Sequence, residues 1–252
     1  MREEDTVHYW DRKWALSTQR LKERVRLDGS DGEKEFEREV LKVAVGKRLL
    51  DVGCGTGAFT LRVGKRVNKA IGIDISRIAL GYAIDSRRKW KSRNVEFLFA
   101  KASGIPFRSN SFDVVYSRRG PGSLSVRTLS EAYRVLKPGG LFMEITIGER
   151  DKQNIAKIFG RGQMLGIRGQ VSSLKKKVLK RVGFKKIVAR DYLGTEIFRT
   201  MDNLVIRMRT APIIPRFDPQ RDRQYLEQVG RECRTDRGIE TPVHRVLLVA
   251  RK

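Results

Sequence analysis

Cysteine is nearly missing from this chain. Cys54 and Cys233 are its only two, too few for a disulfide framework. Neither has a CxxC partner or a histidine at ligand spacing, so no metal site is expected and a reducing, cytoplasmic setting follows. Long apolar runs are missing too. None approaches the roughly 20 residues that a membrane-spanning helix needs. The opening MREEDTVHYWDRKW carries charge where a secretory signal would be apolar. Acids are scarce relative to bases: 29 Asp and Glu stand against 54 Lys and Arg, a formal charge of +25. Asparagine and glutamine are also few (5 and 7), which agrees with a thermophilic origin. Thermophilic ion-pair networks, however, raise acids and bases together, and here only the bases are raised. An unbalanced cation of this size predicts a polyanionic partner, RNA first.

The bases are unevenly spread. From Lys152 to Arg190 there are 12 of them and no acid, including KKKVLKR at 175–181. Leu174, Val178, Leu179 and Val182 recur there at helical spacing. That predicts an amphipathic helix laid on a sheet with its cations outward. Lys175, Lys176, Lys177, Lys180 and Arg181 are therefore the candidate phosphate contacts. Arg87, Arg88, Lys89, Lys91 and Arg93 form a second cluster.

A chain of 252 residues can bury a core of its own as one domain. Residues 5–27 read as a helix with Val7, Trp10, Trp14, Leu21 and Val25 on one face, and 33–46 as another. Strand-length apolar runs follow at 47–52, 69–73, 95–99, 112–116 and 140–147, separated by helical patterns at 57–66, 76–91 and 123–136. Such alternation predicts a parallel sheet with helices on both faces. Beyond residue 150 the pattern loosens into helices at 172–183, 196–210 and 219–233 and strands at 184–192 and 243–250. The expected division is an N-terminal helical segment (1–46), a core (47–193), a helical insertion (194–240) and a final core strand (241–252).

The first strand runs into DVGCGTG, with Gly53, Gly55 and Gly57 at alternate positions. Glycines at a strand-to-helix turn let a ligand approach the backbone at the carboxyl end of the sheet. The spacing is neither the dinucleotide fingerprint nor a phosphate loop. Asp51, just before the loop, would repel a pyrophosphate and suit an ammonium group. Asp74 ends the second strand, where an acid can accept hydrogen bonds from ribose hydroxyls; capping the next helix is its plainer role. Together these features suggest a nucleoside that carries an amino acid.

DVGCGTG, GIDIS, PFRSNSFDVVYS and EAYRVLKPGG occur in this order over residues 40–147. In this combination the chain resembles the class I S-adenosylmethionine-dependent methyltransferases of the methyltransferase type 11 group. The resemblance implies a Rossmann-like, seven-stranded, mostly parallel α/β sheet whose last strand is antiparallel. It implies S-adenosylmethionine as cofactor. Asp51, Gly53, Cys54, Gly55 and Gly57 would hold the methionine part, Asp74 the ribose and Ile75 the adenine. Ala102 and Ser103 would read the adenine edge, next to Lys101, where the family often has an acid. Ser117 and the loop after it would face the methyl group. SRRGP, ITIGERD, RMRTAPIIPRF and TPVHRVLLVARK also resemble parts of two narrower groups, a set of bacterial and archaeal methyltransferases and the bacterial ribosomal RNA guanine-N1 methyltransferase, although the four-cysteine zinc module of the latter has no counterpart here. Arg118 and Arg119 lie where an acceptor would enter and could hold a phosphate or carboxylate, or form local salt bridges. His8, Tyr9 and Trp10 suit either a lid or a core-facing helix. Met201, Leu204, Ile206, Met208, Ile213, Ile214 and Phe217 suit an acceptor wall or a core. No catalytic base stands out. The expected activity is methyl transfer to ribosomal or transfer RNA. The alternatives are a small-molecule acceptor with an incidentally basic surface, and a non-catalytic RNA-binding protein of the same fold.

Overall fold

The computed structural model describes residues 3–17, 25–120 and 125–252. Five parallel strands form the centre: β2 (Arg48–Val52), β3 (Lys69–Asp74), β4 (Val95–Phe99), β5 (Phe112–Arg118) and β6 (Leu136–Ile147). The long strands β7 (Lys185–Phe198) and β9 (Gly238–Arg251) join antiparallel, as do β1 (Val25–Gly29) against β7 and the two-residue β8 (Arg234–Thr235) against β9. The order is β1-β7-β9-β6-β5-β2-β3-β4. The sheet has nine strands, two more than the sequence pattern predicts. β1 is mostly exposed and shows no alternation; its strand character comes from pairing with β7, which a local pattern cannot reveal.

Side chains alternate across the pleat, so each central strand feeds two cores. Leu49, Val114 and Ile145 pack under α2 (Glu33–Val43), α3 (Ala58–Gly64) and α4 (Arg77–Lys89). Leu50, Val115, Val246 and Leu248 pack under α5 (Val126–Val135) and α7 (Val171–Val182). A third core, built on Leu204, Met208, Ile213, Ile214 and Val229, holds α8 (Met201–Thr210) and α9 (Arg223–Glu232) against α6 (Gln153–Phe159). Most of the candidate acceptor wall is therefore core.

Several local expectations change. The N-terminal helix α1 is Glu3–Ser17; Leu21 lies outside the described residues, and Val25 belongs to a strand opposite Phe198. Residues 196–198 continue β7 instead of opening a helix. The helix α6 falls in the acid-free stretch, where no pattern marked it. Among the described residues no helix is long and apolar enough to cross a membrane.

The largest correction concerns Lys175. It is 0% exposed, on the inner face of α7, and its Nζ donates to Glu144 Oε2 of β6 at 2.6 Å. It shares that face with Val171 and Leu179, four residues to either side, so it follows their helical period and cannot join the outer cations. Lys176, Lys177, Lys180 and Arg181 are exposed. Removing one partner of a buried pair strands the other charge. Lys175→Ala should therefore destabilise the protein by about 3–5 kcal/mol in denaturant titration, against under about 0.5 kcal/mol for Lys176→Ala.

Candidate functional site

The carboxyl ends of β2 and β3 hold the two acids and the glycine loop. Gly53, Gly55 and Gly57 all have positive φ (80°, 54° and 72°), a region that side chains disfavour. Two of the three also meet close neighbours. A Cβ on Gly57 would stand 2.4 Å from the Phe97 ring, and one on Gly55 would stand 2.7 Å from the Trp14 ring. Gly57 thus lets α3 lie close on the sheet, while Gly55 lets α1 lie close over the loop.

Asp51 is buried. Thr60 donates its hydroxyl to Oδ2 at 2.7 Å, and Oδ1 is buried with no hydrogen-bond partner among the described residues. Below it Phe36, Phe59 and Tyr116 pack edge-on or tilted. Burial pushes the Asp51 carboxyl up to about 6, against the opposing pull of Thr60, the Tyr116 phenol and the Arg118 charge. Asp74 is partly open and accepts hydrogen bonds from the Gly55 N–H (2.8 Å) and the Ser76 N–H (2.9 Å); burial raises its carboxyl as well. The cap of α4 is Ser76, whose hydroxyl accepts from the Ala79 N–H, so Asp74 is not the capping residue.

α1 closes this end. Asp11 accepts from the Ser76 hydroxyl (2.6 Å) and the Ile78 N–H at the start of α4. Two residues on, Lys13 donates to the carbonyls of Met208, Arg209 and Ala211 at the end of α8. An acid at one helix N-terminus and a base at another's C-terminus each meet the favourable end of a helix dipole. Burial, with Arg12 and Arg209 nearby, lowers Lys13 to about 8. Val7, Trp10 and Trp14 line the cavity beneath. His8 is exposed, and Tyr9 packs on Trp10.

That cavity has a volume of about 830 Å³. Asp51, Gly53, Cys54, Gly55, Asp74, Ile75, Ala102 and Ser103 are brought together along it, with Arg118 and Arg119. Two expected members stand apart from its wall. Gly57 serves helix–sheet packing, and Ser117 is buried with its hydroxyl donated to the Val52 carbonyl at 2.8 Å. The exposed cations of α7 are not on the wall either. Cys54 packs over Gly72, and burial raises its thiol. Arg118 and Arg119 are engaged by α2: Arg118 pairs with Glu37, and Arg119 with Glu33 at 3.0 Å. The salt-bridge reading of these two holds.

Sequence reasoning missed the far half of the cavity. β6 pairs with β9 only as far as Ile147↔Arg245, whereas β7 and β9 stay paired out to Phe198↔Ile239. The overhang carries Glu196 past the end of β6, and Arg245 stands opposite its last residue. There they meet Asp151 and Lys152 from the turn into α6, and Arg207 from α8. Lys152 donates to Glu196 at 2.7 Å, Arg245 pairs with Asp151, and Arg207 lies 3.7 Å from Glu196. Buried cations hold the Glu196 carboxyl below the usual range despite its burial. Gln163, Met164, Ile167, Pro212 and Ile213 complete this wall. Charged residues scattered between positions 151 and 245 give no sequence signal. Among the described residues, no group of three or more His, Cys, Asp or Glu could hold a metal ion.

The near half fits S-adenosylmethionine. Its cationic ammonium suits a buried carboxylate oxygen without a partner, and the positive-φ loop leaves the backbone bare beside Asp74. Holding Asp51 in the absence of a cation costs stability. Between pH 3.8 and about 6 the folded chain retains a proton that the unfolded chain has released, so stability falls as pH rises through this window. Asp51→Asn should therefore be more stable than the parent at pH 7.5, by up to roughly 3 kcal/mol, and equal to it below about pH 4. Denaturation midpoints at the two pH values check this.

Comparison with known proteins agrees with the geometry. A family described as "Methyltransferase domain" matches residues 44–194. The demethylmenaquinone methyltransferase of Lactococcus lactis is 41% identical over 102 residues, 38% of this chain and 40% of that protein. The ubiquinone/menaquinone biosynthesis C-methyltransferase UbiE of Allorhizobium ampelinum is 35% identical over 111 residues, 41% and 43% of the two chains. These matches span less than half the length of either relative. The crystal structure of the YcgJ protein from Bacillus subtilis superposes with a TM-score of 0.67 at 17% identity, over 87% of this chain and 99% of that one, a likeness of fold. None of these supports the narrower likeness to the ribosomal RNA guanine-N1 enzyme. With the family match covering more than half of its length, the chain belongs to the methyltransferase domain family.

Proposed function

We propose that the acceptor is a small molecule, bound in the far half of the same cavity. The observation that carries this reading is the continuity of the cavity. One space of about 830 Å³ runs from the glycine loop to the overhang of β7 and β9, within the 300–1,000 Å³ of small-molecule sites. The relatives named above are named for quinones, which favours an acceptor built on a flat, electron-rich ring. The apolar Met164, Ile167, Pro212 and Ile213 suit such a body.

The cofactor supplies a methyl group already activated on a sulfonium. The chain's part is to position and enclose. Asp51 and the bare loop take the amino-acid end, Asp74 the ribose, and Ile75, Ala102 and Ser103 the base. Trp10 and Trp14 on α1 keep water from the loop. Glu196 is held ionised by its cations, which makes it a poor proton acceptor, and no residue is assigned as a base.

The exposed Lys176, Lys177, Lys180 and Arg181 favour a second reading, an RNA acceptor, through charge alone. Titration calorimetry should detect S-adenosylmethionine binding that Asp74→Ala weakens at least tenfold. With labelled cofactor, the label should pass to demethylmenaquinol or a similar quinol and not to total RNA. Alanine at the four exposed α7 cations should leave that rate within twofold. Label in RNA, abolished by those four alanines, would replace the small-molecule reading with the RNA one.

A further inference from the structure

In the far half of the cavity the buried cations already have acceptors. Lys152 gives its ammonium to Glu196 and to the Pro242 carbonyl. Arg245 donates to Asp151 Oδ1 and to the His244 carbonyl, and Arg119 pairs with Glu33. Of the two acids on this wall, Asp151 is the more enclosed, and its Oδ1 also takes the His244 N–H. Glu196 is more open: its side chain keeps 15% exposure against 7% for Asp151. It lines the cavity from the part of β7 that overhangs β6. Lys152 meets its Oε2. At Oε1 the Arg207 guanidinium stands 3.7 Å away, beyond hydrogen-bond reach.

The charge state of Glu196 is set by its neighbours. Burial alone would push the carboxyl up; Lys152 and Arg207, with the Lys152 hydrogen bond and Arg245, pull it below its ordinary value instead. It is therefore a carboxylate at neutral pH, and a carboxylate only accepts hydrogen bonds. The same neighbours decide which donor fits. A cationic acceptor would enter beside Lys152, Arg245 and Arg119, and an anionic one would face Glu196 itself; like charges brought together in this way oppose binding. A neutral O–H meets neither repulsion, and its bond to an ionised oxygen is of the strong, charge-assisted kind.

We infer that the acceptor is a neutral, hydroxylated flat ring, and that Glu196 selects and orients it by accepting the hydrogen bond of that hydroxyl. The inference rests on the small-molecule reading above and narrows it from any flat ring to a phenolic one. The apolar Met164, Ile167, Pro212 and Ile213 take the body of the ring. The hydroxyl keeps its proton, so Glu196 binds and orients without acting as a base.

The test uses the full-length protein saturated with S-adenosylhomocysteine, with phenol, anisole, benzoate and benzylammonium as probes in titration calorimetry. Phenol should bind at least tenfold more tightly than anisole, which has the ring and the oxygen without the donor, and more tightly than either ion. Glu196→Gln removes the charge and should cost phenol at least fivefold, leaving anisole and S-adenosylhomocysteine within twofold. Because that change also deprives Lys152 of its counter-charge, Glu196→Asp serves beside it: the charge stays, the oxygen withdraws by one methylene, and phenol alone should again weaken. If anisole equals phenol, if benzoate or benzylammonium binds more tightly than phenol, or if the phenol preference survives in both variants, the inference is overturned while the small-molecule reading stands. If S-adenosylhomocysteine binds and none of the four probes does, the small-molecule reading falls and the inference with it. If S-adenosylhomocysteine itself fails to bind, the reading of the near half falls, and the inference falls too.

Discussion

The carboxylate of Asp51 is almost wholly buried, held by the Thr60 hydroxyl on Oδ2, with no hydrogen-bond partner for Oδ1 among the described residues. Much of the site follows from keeping it there. The three aromatic rings of Phe36, Phe59 and Tyr116 exclude solvent beneath it, and α1 covers the loop above it. The carboxyl is pushed toward neutrality in consequence. A group kept in such a state destabilises the fold and becomes useful only when a cation arrives, a common form of the exchange between stability and function. The glycines are the steric counterpart. One admits the covering helix, one admits the helix below, and all three need backbone angles that other residues resist.

The second organising fact is a mismatch of strand lengths. The parallel strands stop at the edge of the cavity, whereas β7 and β9 continue. In an open α/β sheet, ligands collect at the carboxyl ends of the strands. Here the two overhanging strands raise a wall beyond that edge, and α8 and α9 pack on it. α1 then ties this wall to the cofactor half, its Asp11 on α4 and its Lys13 on α8. Both halves of the cavity are thus tied to one helix through Asp11 and Lys13, which are separated by a single residue.

The basic composition divides into two populations with different physics. Lys175 is a structural cation, neutralised within the sheet by Glu144. Lys176, Lys177, Lys180 and Arg181 remain in water, where they shape the long-range field. Lys152 and Arg245 form a smaller group, buried in the cavity wall. The overall +25 predicted a polyanion.

The sequence alone determined the parallel core, the glycine loop, the positions of Asp51 and Asp74, and the cofactor class. Each is written in contiguous residues, because backbone approach and strand-end acids are local requirements. Ile75, Ala102 and Ser103, picked out of the sequence beside strand ends, line the same cavity. Only the tertiary structure decided that β1 is a strand, that Lys175 faces inward, that Ser117 and Gly57 serve packing, and that Asp151, Lys152, Glu196, Arg207 and Arg245 share one wall. Those outcomes depend on which distant segments pair and how far their pairing runs, and nothing local in the chain records a strand that outlasts its neighbour.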